Sequence, residues 1–348
     1  MSDGTPVRLQ DVAEKAGVSI ATASRVLGDP TYAGRAGLRE RVTAAAAHLG
    51  YRPNPHARAL ASSMSTNIGL VVHDISDAYF ATVSSGVIEV ADRHDLLVSM
   101  VCSHRDPARE LDYVRRLIAQ RVRALILAGS SFRSREHNKA MLTELTRYQD
   151  SGGSIVSISH GRDIGHAVQV DSRAAMRDLT AELIALGHKR FGIIAGPSRL
   201  TAVHDRLQGI KDALRDAGLG LPAGAVQHHD ISREGGAAGA AALLNNRTAP
   251  TCLIATSDVM AVGAQSWALS NGYRVPDDIS ITGFGGIPAV ADAVPPITTV
   301  SLPLTEIGRT AMELALQPPD SPRHIVQIAG KTVMGPSVAP PSASAKRR

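Results

Sequence analysis

Seven short apolar runs constrain this chain more than any other feature: IGLVV (68–72), LLVSMV (96–101), ALILA (124–128), SIVSI (154–158), FGIIA (191–195), TCLIA (251–255) and ISITG (279–283). Each has the length of a strand, and a stretch with helical spacing separates it from the next. A strand that is apolar on both faces must be covered on both faces. That requirement predicts doubly wound, mostly parallel sheets with helices on either side. Residues 67–337 are too many for one such sheet, so two lobes are expected, binding ligands beyond the carboxyl ends of their strands.

The first 66 residues follow another rule. In LQDVAEKA the apolar side chains fall at Leu9, Val12, Ala13 and Ala16, the i, i+3, i+4, i+7 pattern of a one-sided helix. Gly17 can end that helix in a left-handed conformation, Val18 can pack beneath the turn, and Ser19 can cap a second helix. The inner face of that helix would be Ala23, Val26 and Leu27. Ser19, Ile20, Ala21, Thr22, Ser24 and Arg25 are then left near its start or on its outside. Two short helices around a glycine turn form either an ordinary helical hairpin or a helix-turn-helix, whose second helix enters the DNA major groove N-terminus first. In the second reading Arg25 reaches a guanine edge, Ile20 and Ala21 meet thymine methyls, and the hydroxyls of Ser19, Thr22 and Ser24 face phosphates. A third amphipathic helix, RERVTAAAAHL (39–49), turns Val42, Ala45, Ala46 and Leu49 inward and closes at Gly50.

Charge placement favours DNA. The net charge is +5, and residues 1–61 hold eight Lys/Arg against five Asp/Glu, a local +3. Lys346, Arg347 and Arg348 add +3, which leaves −1 for residues 62–345. A basic head on a near-neutral body suits a polyanion at one end. Aromatics are 3% of the chain, too few for a single-strand stacking platform. No run approaches the length of a membrane span, and the N-terminus lacks a secretory pattern, so a cytoplasmic protein is expected. Cys102 and Cys252 stand far apart without metal-ligand spacing and read as buried thiols. No metal, cofactor or catalytic residue is expected. His228 and His229 would point to opposite faces of a strand, GFGGIP lacks phosphate-loop spacing, and AGPSR lacks that of a nucleophile elbow.

The run DVAEKAGVS, then SRVL, GYRPN, ARALAS and NIGLVV resembles the LacI/GalR family of bacterial transcription repressors. The likeness extends over the body through DISDAYF (74–80), LGHKRFGIIAGP (186–197), HDRLQG (204–209), TSDVMAVGA (256–264) and VPDDISITGF (275–284). It implies a helix-turn-helix head at 1–53, a hinge helix and linker at 54–66, and a two-lobed periplasmic-binding-protein-like domain at 67–337. The Pro/Ser/Ala-rich residues 338–348 read as a disordered tail. It further implies that Leu60, with Ala57 beside it, wedges into the operator's minor groove. The effector cleft would be lined by Asp77, Tyr79, Phe80, Ser130, Ser159 and Val170 from one side. Arg206, Ile231, Ser257 and Gly285 would face them, with Arg206 holding the effector through charge-assisted hydrogen bonds.

The chain departs from the family pattern at several points. Arg8 stands at the usual threonine helix cap. Gly285-Gly286 replaces a pair of acids, Ile231 an aromatic, and Ser159 an acid. With the acids gone, Arg206 would lack its counterweight, so the expected effector is an anionic sugar phosphate or carboxylate, with a sugar as the other candidate. No leucine heptad follows the body, so a homodimer on double-stranded operator DNA is expected. The competing reading is a small-molecule-binding protein or enzyme of the doubly wound class with an incidental basic N-terminus.

Overall fold

The computed structural model describes residues 7–28, 32, 37–51, 65–158, 163–245, 249–318 and 321–342. Ala57, Leu60 and Ser159 lie outside the described residues, as do 343–348. The chain divides into two compact units, Met1–Thr66 and Asn67–Arg348.

Among the described residues the head has α1 (Leu9–Ala16), α2 (Ile20–Gly28) and α3 (Leu38–Leu49). Helix α1 ends as its sequence predicts: Gly17 takes φ +65° and the Val18 N–H donates to the Ala13 carbonyl at 3.0 Å. At its start Arg8 has no acceptor to offer as a cap. Asp11 supplies the reciprocal bond, accepting from the Arg8 N–H at 2.7 Å. Val12, Ala13, Ala16, Ala23, Val26, Val42, Ala45 and Ala46 are buried together, while Leu27 and Leu49 pack at the margin.

Among the described residues the body holds two six-stranded sheets. Strands β1 (Asn67–Val72), β2 (Leu97–Cys102), β3 (Ala124–Leu127), β4 (Ser154–Ser157), β5 (His166–Val170) and β11 (Ile325–Ile328) build the first, in the order β11-β5-β4-β3-β1-β2. Strands β6 (Phe191–Ala195), β7 (Val226–His228), β8 (Cys252–Ala255), β9 (Ser280–Gly285), β10 (Thr298–Ser301) and β12 (Lys331–Val333) build the second, in the order β12-β10-β9-β8-β6-β7. Among the described residues all ladders are parallel except that of β12 on β10. Each of the seven apolar runs supplies a strand. LLVSMV is less buried than its composition suggests, because β2 lies at a sheet edge and leaves Leu97 67% exposed.

Helices α4 (Ala78–Arg93), α5 (Pro107–Ala119), α6 (Arg135–Asp150) and α12 (Leu304–Ala315) accompany the first lobe. Helices α7 (Ser172–Ala185), α8 (Thr201–Asp216), α9 (Arg233–Leu244), α10 (Asp258–Ser270) and the short α11 (Pro288–Ala291) accompany the second. The chain therefore passes between lobes three times: after β5, after β10 and between β11 and β12. Paired glycines set how closely the helices cross. A Cβ on Gly308 would overlap the Val83 carbonyl, and one on Gly86 the Thr305 carbonyl, where α12 meets α4. Gly236 and Gly263 do the same against Met260 and Arg233 where α9 meets α10.

The tail expectation needs correction over its first residues. Val338 packs against the core, and the Ala339 carbonyl accepts from the His188 ring at 3.0 Å and from the Ser280 hydroxyl at 3.3 Å. Composition pointed to disorder because alanine, serine and proline carry little apolar area. Here the backbone itself satisfies buried donors of the second lobe, which ties down Val338 and Ala339.

Candidate functional site

The outer face of α2 is laid out as its periodicity requires. Ile20, Ala21, Ser24 and Arg25 are exposed and Thr22 is half-buried, while Ala23 and Val26 face inward. Ser19 caps the helix: its Oγ accepts from the Thr22 N–H at 3.1 Å and lies 2.8 Å from the Thr22 hydroxyl. The two hydroxyls thus hold one another at the positive end of the helix, with Ile20 standing 50% exposed beside them. An apolar side chain so exposed at a helix start, flanked by hydroxyls and an arginine, has the makeup of a groove-facing surface.

In the body a cavity opens between the lobes at the carboxyl ends of β1, β3, β6 and β9. Eight of the expected residues line it: Asp77, Tyr79, Phe80, Ser130, Val170, Arg206, Ile231 and Ser257. His73, Arg105, Asp205 and Phe284 also line it and were not anticipated. Arg105 follows β2, takes φ +59° and reaches Asp77 at 3.3 Å and Asp74 at 3.5 Å. Its signal in the sequence was weak, a lone arginine in a polar turn. Asp77 caps α4 by accepting from the Tyr79 N–H at 3.1 Å. Burial raises the Asp77 carboxyl above its ordinary value, opposed by that bond and by Arg105.

Arg206 projects from α8 onto Phe284, its guanidinium carbon 3.9 Å from the ring centroid. One Nη donates to the Thr256 carbonyl at 2.7 Å, and Nε is buried without a hydrogen-bond partner among the described residues. Burial lowers the Arg206 pKa from its ordinary value, while Tyr79, Asp258, Asp77 and Asp205 oppose it.

Gly285 needs correction. It is not among the residues lining the cavity. It sits at φ +136°, where side chains are strained, and a Cβ there would come 3.2 Å from an oxygen of Asp258. Asp258, at the start of α10, is fully buried and accepts from the Gly286 and Ile287 N–H groups and from the Thr299 hydroxyl. Burial pushes its carboxyl up to about 6 against those bonds. The glycines thus leave room for a carboxylate from a different element, and Arg206 keeps an acidic counterweight. Sequence spacing missed this because Asp258 and Gly285 meet only in the folded sheet.

A head presenting such a helix and a body with a built cleft define a DNA-binding regulator with a ligand-binding domain. Residues 8–54 match the bacterial regulatory proteins of the lacI family, and residues 180–338 match the periplasmic binding protein-like domain. The HTH-type transcriptional repressor CytR of Escherichia coli (strain K12) is 34% identical over 315 residues, 90% of this chain and 89% of that protein. The HTH-type transcriptional regulator GalS of Salmonella typhimurium is also 34% identical over 315 residues, 89% of each. Among solved structures, the lac repressor dimer bound to operator and the anti-inducer ONPF has a TM-score of 0.84 at 26% identity, covering 96% of this chain and 100% of that one. The CelR–cellobiose complex has a TM-score of 0.69 at 25% identity, covering 95% and 99%. The chain belongs to the lacI family of bacterial regulatory proteins. It is a DNA-binding transcription regulator, as the head and body read together from sequence led one to expect. Among the described residues no helix is long and apolar enough to cross a membrane.

Proposed function

We propose that this protein is a cytoplasmic, homodimeric repressor without catalytic activity, and that its operator affinity is set by a neutral, sugar-like effector in the interlobe cavity. The observation that carries the effector class is charge balance. Arg105 is matched by Asp74 and Asp77, and Arg206 lies among Asp77, Asp205 and Asp258. An anion entering here would find no uncompensated positive field, which removes the reason for expecting a sugar phosphate. Hydroxyls can instead use Asp77, Asp205, Ser130 and the spare donors of Arg206, above an apolar floor of Tyr79, Phe80, Val170 and Ile231. Cellobiose in the related CelR complex is of this class. Exposed Leu97 and Ile88 near the edge of the first lobe, and Leu269 and Val294 on the second, supply apolar surface for a partner copy. At the head, Ile20, Ala21 and Arg25 would read bases, with Ser19, Thr22 and Ser24 on phosphates. Ala57 and Leu60 would sit at the operator centre.

Sequencing the genomic DNA retained by the full-length protein gives an operator for binding assays. Arg25→Ala should weaken that operator by roughly 1–3 kcal/mol and flatten preference at one base position per half-site. Uniform weakening on every sequence would make Arg25 a phosphate clamp. For the effector, thermal shift with neutral sugars, sugar phosphates and organic acids is the direct test. A neutral sugar should raise the melting point of the parent and not of Arg206→Ala. A response to anions alone would reverse the assignment.

A further inference from the structure

Helix α8 begins without a cap of its own. Its N-cap residue is Leu200, which has no acceptor side chain, and the first intrahelical bond is His204 N–H to the Leu200 carbonyl. The amides of Thr201 and Ala202 at its first turn therefore need partners from elsewhere. Both partners come from the opposite lobe. The Ser131 carbonyl accepts from the Thr201 N–H at 3.0 Å, and the Ser130 Oγ accepts from the Ala202 N–H at 2.9 Å. The Ser131 hydroxyl adds a 2.8 Å bond to the Thr201 hydroxyl. Next to these, Phe132 and Leu200 form an isolated antiparallel bridge, both 2% exposed, and the Arg133 N–H donates to the Arg199 carbonyl at 2.7 Å.

Ser130 is itself held in place. Its carbonyl lies 3.1 Å from the His73 Nε2, and the His73 Nδ1 lies 3.0 Å from the Ser103 hydroxyl. His73 is 2% exposed and packs edge-on against Phe80 and Phe132. The ring fits only because residue 129 is glycine, whose Cβ would stand 2.8 Å from it. The segment GSSF after β3 is thus a braced platform, and α8, with Arg206 five residues past its start, is seated on it.

We propose that Ser130 is a positioning residue that caps α8 across the cleft, so that the N-terminus of the helix bearing Arg206 is completed only when the lobes are closed. Residues 130–133 and 199–202 form a strap that holds the cleft closed. Ser130 acts through the helix rather than only as a ligand contact. A ligand that needs the closed form binds more weakly in proportion as that form is depopulated. The inference deepens the reading of the interlobe cavity as the effector site. Its test uses no effector, so failure of the sugar assignment leaves it standing.

The test is amide hydrogen exchange on the full-length, effector-free protein, read by peptide. The Thr201 and Ala202 amides should be protected in the parent. Ser130→Ala should speed exchange by about three- to tenfold in 199–203 and in 129–133 together, a loss of about 0.6–1.4 kcal/mol. Ser130→Thr, which keeps the hydroxyl, should restore protection. The proposal is overturned if the parent's Thr201 and Ala202 amides exchange as freely as unstructured ones. It is also overturned if Ser130→Ala leaves the strap unchanged, or if that variant raises exchange evenly over the whole body, the mark of general destabilisation.

Discussion

The head and the body have cores of opposite kinds. Among the described residues the head's buried set is five alanines and three valines, and its larger side chains, Leu9, Leu27, Leu38, Leu49 and Tyr51, are only partly covered. The body fully buries Phe132, Ile68, Leu70, Leu125, Met141 and Met176. Apolar burial contributes about 25 cal/mol per Å², so a core of methyl and isopropyl groups stabilises little beyond the entropy cost of ordering it. In a unit so small, caps and turns form a large share of what keeps the fold together. In the body they are minor beside the packed sheets. The same two regions differ in what they show to solvent: the head exposes chemistry on one helix face, whereas the body encloses it in a cleft.

The sharpest way to break this contrast is to attack packing where only backbone fits. Gly263→Val would drive a branched side chain into the Arg233 carbonyl at the α9–α10 crossing. It should cost the body about 4 kcal/mol or more, while peptides from the head keep their exchange protection. Loss of protection in both units would show that the head does not hold its fold independently.

A middle-sized effect concerns Asp258. Its folded pKa of about 6 lies above the ordinary 3.8, so the folded body holds an extra proton between those values. Its contribution therefore favours folding at the acid end of that window and is lost as pH rises through about 6. Asp258→Asn removes this slope. The difference in denaturation free energy between parent and variant should change by on the order of 2–3 kcal/mol between about pH 4 and pH 7. A pH-independent difference would mean that Asp258 titrates normally. Head peptides should not respond.

The smallest expected effect refines the head. Ser19→Ala removes the acceptor for the Thr22 N–H and should cost about 1 kcal/mol, visible as faster exchange in α2 with the body unchanged. If the head melts at the same temperature as its parent, caps are not what sustains it.

Much of the architecture was legible along the chain because the responsible forces are local and periodic. Gly17 and Gly50 mark helix ends through a left-handed backbone, and the apolar runs report strands covered on both faces. Strands β5, β7, β10, β11 and β12 left no such mark. Strand β11 alternates and β7 and β12 are partly exposed. Strand β10, with the sequence TTVS, is polar yet mostly buried because Thr298 and Thr299 bond to the Gly335 carbonyl and to Asp258. Hydrogen bonds to residues about 40 positions away compensate a burial that composition argues against.

The sites divide the same way. The exposed face of α2 follows from 3.6-residue periodicity and one glycine turn, so the sequence alone determined it. Eight cleft residues were placed by resemblance, and the folded sheets bring them together. The charge of that cleft was decided only by tertiary structure. Asp258 fills the space beside Gly285, Arg105 reaches Asp77 from the turn after β2, and Ser130 caps a helix in the other lobe. Electrostatics and capping depend on distances of a few ångströms between groups tens of residues apart, which only the closed sheets and their crossovers set.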